Sequence, residues 1–173
     1  MKIEYPRYLE KAADVINLHQ YRLARKQSDS KNWNKERKKL AKIQLKVANQ
    51  RKDFINKLTT YLIKEYDIIC VEDLKVQDML NEKRFSRQIE DFAWYEFINK
   101  LEYKANWYGK KIIKINTYYP SSKICSCCGE KNEELEDLSI REWICPYCGA
   151  TLDRDVNVAT NILNEGMKII ENK

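Results

Sequence analysis

Two cysteine pairs constrain this chain more than any other feature. They are Cys125-Ser-Cys-Cys128 and, sixteen residues further on, Cys145-Pro-Tyr-Cys148. A C-x2-C turn points two thiolates to one side of a tight loop. Two such turns at this separation have the spacing of a treble-clef or ribbon zinc site, whose four sulfurs close a tetrahedral shell. Gly129 and Gly149 directly follow the second cysteine of each turn. A residue free to take positive φ there lets the backbone fold back with its amides toward the sulfurs. Pro146 suits the same tight geometry. Zn²⁺ is therefore the expected cofactor, with Cys125, Cys128, Cys145 and Cys148 as ligands. A structural zinc is compatible with many unrelated functions, so the remaining residues have to narrow the choice.

The 173 residues suffice for one domain, or one domain with a small appended module, and 43% hydrophobic content supports a real core. Met1–Glu10 already contains Lys2, Glu4, Arg7 and Glu10, which does not read as a secretory leader. No apolar run approaches the ~20 residues needed to span a bilayer. The expectation is a soluble, cytoplasmic protein with no membrane partner, and in that reducing setting paired cysteines read as metal ligands.

Charge is unevenly spread. Residues 1–60 carry 16 Lys/Arg against 6 Asp/Glu, whereas residues 61–173 carry 16 against 20. A basic N-terminal third suggests a polyanion-binding face. The competing explanation is a solvated, lysine-rich helix pair that binds nothing.

Residues 2–5 read as a short strand closed by Pro6. A helix is expected from Arg7 to about Lys26, a turn over 27–31, and a second helix from about Asn34 to Glu65. The stripe of that second helix is Leu40, Ile43, Val47, Phe54, Leu58, Tyr61 and Leu62. Together they predict a long basic antiparallel hairpin. Ile68-Ile-Cys-Val71 reads as a strand buried on both faces, with Cys70 as core packing. A helical segment follows, then a helix over Ser86–Tyr108 built on Ile89, Phe92, Phe97, Leu101 and Ala105, then a strand over Lys111–Tyr118. Strand, helix, strand predicts a parallel βαβ pair and an α/β fold. A terminal helix is expected over Val156–Ile170. His19 reads as a surface or packing residue without a partner.

Two acidic positions stand where chemistry often sits. Glu72 ends the buried strand, and ligands collect beyond the carboxyl ends of strands in α/β sheets. Asp153 and Asp155 open the last helix, where acidic residues also cap free N–H groups. For Asp153 the capping role is the better reading, while for Asp155 capping and chemistry compete. Carboxylates at strand ends and a helix start suit paired Mg²⁺ ions acting on a phosphodiester.

In order along the chain run Val71-Glu-Asp-Leu-Lys75, Tyr119-Pro-Ser-Ser-Lys123, Cys125-Ser-Cys-Cys-Gly129, Trp143-Ile-Cys-Pro-Tyr-Cys-Gly149 and Asp153-Arg-Asp-Val-Asn-Val-Ala-Thr-Asn-Ile162. That succession, with the basic stretch Val47–Phe54 before it, resembles the C-terminal half of the TnpB (OrfB) proteins of insertion sequences. The likeness runs from about residue 2 to 166. It implies a partial RNase H-like (RuvC) α/β fold with a long basic helical hairpin and an inserted zinc ribbon. The implied division is a RuvC-like part over 1–120 with the hairpin at about 7–66, a ribbon over 121–150, and a C-terminal RuvC helix over 151–173. The implied activity is RNA-guided, Mg²⁺-dependent cutting of DNA, with DNA and guide RNA as partners. By position Glu72 matches the second RuvC acid, Asp155 with Asn157, Ala159 and Asn161 behind it matches the third, and the four cysteines match the ribbon ligands. Cys127 has no assignable family role.

The family's first acid lies on a Gly-x-Asp-x-Gly strand that residues 1–173 do not contain. The expectation is nucleic-acid binding with an incomplete nuclease site, in which Lys38, Lys39, Lys42, Arg51 and Lys52 contact phosphate backbone. An alternative is an active Mg²⁺-dependent endonuclease completed by a second chain or a longer N-terminus carrying the missing strand. A further alternative is a zinc-stabilised protein-interaction module with no nucleic-acid role.

Overall fold

The computed structural model describes residues 2–75, 93–133, 135 and 139–172. These form two compact units, residues 2–65 with 93–104, and residues 66–75 with 105–172. Among the described residues no helix is long and apolar enough to cross a membrane.

The first unit is built on a helical hairpin, α1 (Tyr8–Ala24) and α2 (Lys31–Glu65). Ser30 sets the start of α2 by accepting the Trp33 backbone N–H on its hydroxyl at 3.1 Å. The helix thereby begins three residues earlier than the sequence pattern predicts, because a serine N-cap satisfies donors that would otherwise be orphaned. Residues 2–5 are not a strand. Tyr5 instead packs edge-on against Phe54 and Tyr8, with ring centroids 5.4 and 5.8 Å away. Aromatic burial of this kind outweighs what a lone short strand could gain.

The apolar row of α2 also differs from the expected one. Leu40 and Val47 are buried as read, but the deepest positions toward the C-terminus are Ile55, Thr59 and Ile63, while Tyr61 is 42% exposed. The i, i+4, i+8 row that contains a threonine escaped a reading based on apolar residues alone. Thr59 is buried because Lys104 of α3 (Trp94–Tyr108) reaches it. The Lys104 ammonium donates to Thr59 Oγ1 and Thr60 Oγ1 at 2.8 Å and to the Asn56 carbonyl at 2.9 Å. Burial, with Lys100 nearby, lowers its affinity for the proton. The N-terminal part of the helix expected from Ser86, with Ile89 and Phe92, and most of the helical segment expected after Asp73 lie outside the described residues.

His19 has a partner, contrary to expectation. Its Nδ1 donates to Glu36 Oε1 at 2.7 Å, between α1 and α2, and both side chains are largely buried.

In the second unit β1 (Ile68–Glu72) and β2 (Lys111–Ile115) pair in parallel, with Ile68 opposite Lys111 and Glu72 opposite Ile115. The βαβ reading of the sequence matches this parallel pair. β1 is half-buried along its length rather than buried on both faces. Among the described residues its strand neighbour is β2, and α4 (Arg154–Glu171) packs on both strands. β2 stops at Ile115 because Asn116 turns the chain. Its side chain accepts the Tyr118 N–H at 2.8 Å and its carbonyl accepts the Tyr119 N–H at 3.0 Å. An antiparallel pair, β3 (Glu142–Ile144) with β4 (Thr151–Asp153), carries the second cysteine turn between its strands.

Candidate metal centre and acidic site

The two cysteine turns are built alike. Cys125 N–H donates to the Glu130 carbonyl at 2.9 Å and Gly129 N–H to the Cys125 carbonyl at 2.8 Å. Cys145 and Gly149 repeat the pattern, with Cys145 bonding to Ala150 at 2.9 Å and Gly149 to Cys145 at 2.9 Å. Gly129 and Gly149 take φ of 81° and 72°, the left-handed region that favours glycine. Cys125 and Cys145 are buried beside Leu135 and Trp143, with Ile140 and Leu152 packed against them, whereas Cys128 and Cys148 face outward.

The four Sγ atoms lie within 4.8 Å of one another. Cys125 and Cys148 are 3.8 Å apart, and Cys128 and Cys145 3.7 Å. A tetrahedron with Zn–S bonds of ~2.3 Å has sulfur–sulfur edges of about 3.8 Å, which these two separations match, so the donor set suits a zinc ion. Cys127 is exposed and outside the group.

The protons are unevenly held in the metal-free cluster. The Glu130 amide pulls the Cys128 thiol down, but burial and the neighbouring thiols outweigh it and push it up to about 12. Burial raises the Cys145 thiol, yet the backbone amides of Cys148 and Tyr147 and the adjoining thiols bring it down to about 7.

Glu72 stands at the C-terminal end of β1. The Ser121 hydroxyl donates to its Oε1 at 2.6 Å. Thr117 donates to the neighbouring Asp73 carbonyl, and Lys75 reaches the Tyr118 hydroxyl at 2.8 Å, so the strand end is knitted to the 116–121 turn. Asp153 is the N-cap of α4 and accepts the Val156 N–H at 3.0 Å, the role its position suggested. Asp155 sits in the first turn of α4 with Arg141 Nη1 3.5 Å away. Among the described residues the cysteines are the one group of three or more potential ligands that the fold gathers, and Glu72 and Asp155 do not join such a group.

Two asparagines in the motifs carry more than the sequence indicated. Asn157 and Asn161 are 1% and 3% exposed. Both donate to the Ile124 carbonyl at 2.7 Å, Asn161 also donates to the Ser121 carbonyl at 2.9 Å, and Asn157 accepts the Ser126 N–H at 2.8 Å. The signal was available: asparagines four apart in a helix pay a propensity cost that calls for compensation.

Of the basic candidates on α2, Lys38, Lys39, Lys42 and Lys52 are exposed and Arg51 is half-buried. At 3.6 residues per turn Lys38, Lys42 and Lys52 share one side of the helix and Arg51 falls on another.

The sequence profile described as "Probable transposase" (OrfB_IS605) matches residues 1–83, and that of the Cas12f1-like TNB domain matches residues 94–162. Together they account for most of the chain. The chain belongs to the TnpB/OrfB insertion-sequence family. A Streptomyces pristinaespiralis relative described as "Putative RNA-guided DNA endonuclease" is 39% identical over 96% of this chain and 41% of its own length. The Escherichia coli protein InsQ, described in the same words, is 33% identical over 87% of this chain and 41% of its own length. A TnpB-like protein, L79, of Acanthamoeba polyphaga mimivirus is 33% identical over 79% of this chain and 28% of its length. The chain thus spans about two fifths of the first two TnpB relatives. A chain from the cryo-EM structure of the Cas12f1–sgRNA–target DNA complex superposes with a TM-score of 0.61 over 90% of this chain and 41% of that one, at 22% identity. The TnpB-type sequence therefore adopts the mixed α/β fold of that chain over the shared region.

Proposed function

We propose that this chain is the zinc-bearing, C-terminal portion of an RNA-guided DNA endonuclease of RNase H-like (RuvC) type, and that it binds DNA and guide RNA. In this reading residues 1–120 form the RuvC-like part with the hairpin, 121–150 a zinc ribbon and 151–173 the closing RuvC helix. The observation that carries the reading is the placement of the two acids. Glu72 ends a parallel strand, and Asp155 opens the helix that packs on that strand and its neighbour. The relatives' descriptions as RNA-guided DNA endonucleases support the same assignment.

The four cysteines would hold Zn²⁺ as a structural ion, since four thiolates fill its usual coordination. Glu72 and Asp155 would be the chain's ligands for Mg²⁺, which would supply Lewis-acid activation of a phosphodiester and of a water. The chain's own residues prepare that site: Ser121 fixes one Glu72 oxygen, and Arg141 balances the Asp155 charge. Two carboxylates bind such ions weakly, and a third acid, from a longer N-terminus or a second chain, completes the set. Lys38, Lys39, Lys42, Arg51 and Lys52 contact phosphates without reading sequence. The protein works in the cytoplasm at the nucleoid.

Two measurements test this. Binding to single-stranded DNA and RNA should fall steeply between about 50 and 200 mM salt and drop further when Lys38, Lys39, Lys42 and Lys52 are reversed to Glu. Salt-insensitive binding would overturn the phosphate-contact reading. With guide RNA, Mg²⁺ and a segment supplying the Gly-x-Asp-x-Gly strand, cleavage should fall at least about 100-fold in Glu72→Ala or Asp155→Ala, on the scale by which metal-assisted steps accelerate hydrolysis. Undiminished cutting by Glu72→Ala would remove that residue from the site.

A further inference from the structure

We infer that Ser121 is a positioning residue for Glu72, and that α4 and the first cysteine turn hold it there through a chain of hydrogen bonds. The inference rests on the reading of Glu72 as a metal-binding carboxylate. A glutamate has three rotatable side-chain bonds, so at a strand end its carboxylate samples many orientations unless something fixes it. Here the Ser121 hydroxyl donates to Oε1 at 2.6 Å, the short distance of a charge-assisted O–H···O⁻ bond. Among the described residues no other hydrogen bond engages this carboxylate, so Oε2 is left for a cation.

Ser121 is itself immobilised. It is 6% exposed, its N–H donates to the Tyr119 carbonyl at 2.8 Å, and its carbonyl accepts from Asn161 at 2.9 Å. Asn161 also grips the Ile124 carbonyl, which Asn157 grips as well, each at 2.7 Å. The next residue is the metal-ligand candidate Cys125. The two asparagines are therefore a common anchor for the cysteine turn and for the serine that orients Glu72. Partners of this kind, one step removed from a metal, change metal affinity by about 10–100-fold.

The test uses the zinc-loaded 173-residue chain and Mn²⁺ as the probe, with binding followed by electron paramagnetic resonance. Ser121→Ala deletes one oxygen without adding bulk. It should weaken Mn²⁺ at least about 10-fold, with zinc content and melting temperature at the parental level, and Ser121→Thr should restore most of the affinity. Parental Mn²⁺ affinity in Ser121→Ala, alongside weakened binding in Glu72→Ala, overturns the positioning role alone. Loss of zinc together with Mn²⁺ in Ser121→Ala also overturns it, since the serine would then be structural. Parental affinity in Glu72→Ala overturns the ligand reading of Glu72 and the role of Ser121 with it.

Discussion

A methyl group on Gly166 of α4 would sit 2.3 Å from Cys70 Sγ and 2.9 Å from Cys70 Cβ, so the helix packs this closely on β1 only because position 166 lacks a side chain. Glycine inside a helix costs roughly 0.5–1 kcal/mol relative to alanine, and here close packing offsets that cost. Gly166→Ala should therefore destabilise by about 1–3 kcal/mol in urea unfolding despite its better helix propensity. Cys70→Ala should recover part of the loss in the double variant, since it removes the Sγ contact and keeps the Cβ one. A stabilising Gly166→Ala would mean that the helix can shift away freely. Burial also pushes the Cys70 thiol up, so maleimide should modify it far more slowly than the exposed Cys127.

Asn157 and Asn161 secure one loop from one helix face. Removing either side chain leaves buried carbonyls or an N–H without a partner, at about 1–3 kcal/mol. Asn157→Ala and Asn161→Ala should each lower the unfolding free energy by that amount. Because the Ile124 carbonyl keeps one asparagine donor in either single variant and loses both in the double, the double variant should lose more than the sum. Full additivity would show that the shared acceptor is not what couples them.

Much of this was legible because strong local rules applied. The cysteine spacing and the glycines after each turn are dictated by ligand geometry, and the structure gathers those four sulfurs. The parallel pair followed from the strand–helix–strand succession, and the Asp153 cap from its position at a helix start. What stayed hidden was decided by tertiary partners. Thr59 falls outside the apolar stripe read from the sequence, and Lys104 reaches it in the fold. His19 reads as solitary until the hairpin closes on Glu36. Ser121 lies in a recognisable motif, yet only the fold brings it to a carboxylate 49 residues away in sequence.

The His19–Glu36 pair makes the hairpin acid-sensitive. The His19 hydrogen bond, helped by Lys26 and Lys39 against the opposing effect of burial, holds Glu36 below the ordinary carboxylate value of 4.5. A carboxylate with a lowered folded-state pKa contributes stability above its unfolded value, and that contribution fades as pH falls through the lower folded value. The parent chain should thus lose melting temperature relative to Glu36→Gln as pH drops below about 4.5. Curves parallel across the whole range would show that the pair adds nothing to the acid response.

Zinc uptake should be opposed by protons. In the metal-free cluster Cys128 is pushed up to about 12 and Cys148 is also raised, while Cys145 comes down to about 7. At neutral pH most of these sites keep their protons, and a zinc ion must displace them to bind thiolates. Apparent affinity should therefore climb by more than about tenfold per pH unit between about pH 6 and 7, as a competition assay with a chromogenic chelator would measure. Mass spectrometry should find one zinc per chain, retained in Cys127→Ser and lost in Cys145→Ser, because Cys127 stands outside the sulfur group. Chelation should melt the turns around Cys125 and Cys145 first, since their small buried cluster of Leu135 and Trp143 is too slight to hold them without the metal. An affinity flat with pH, or zinc retained in Cys145→Ser, would remove the four-thiolate site.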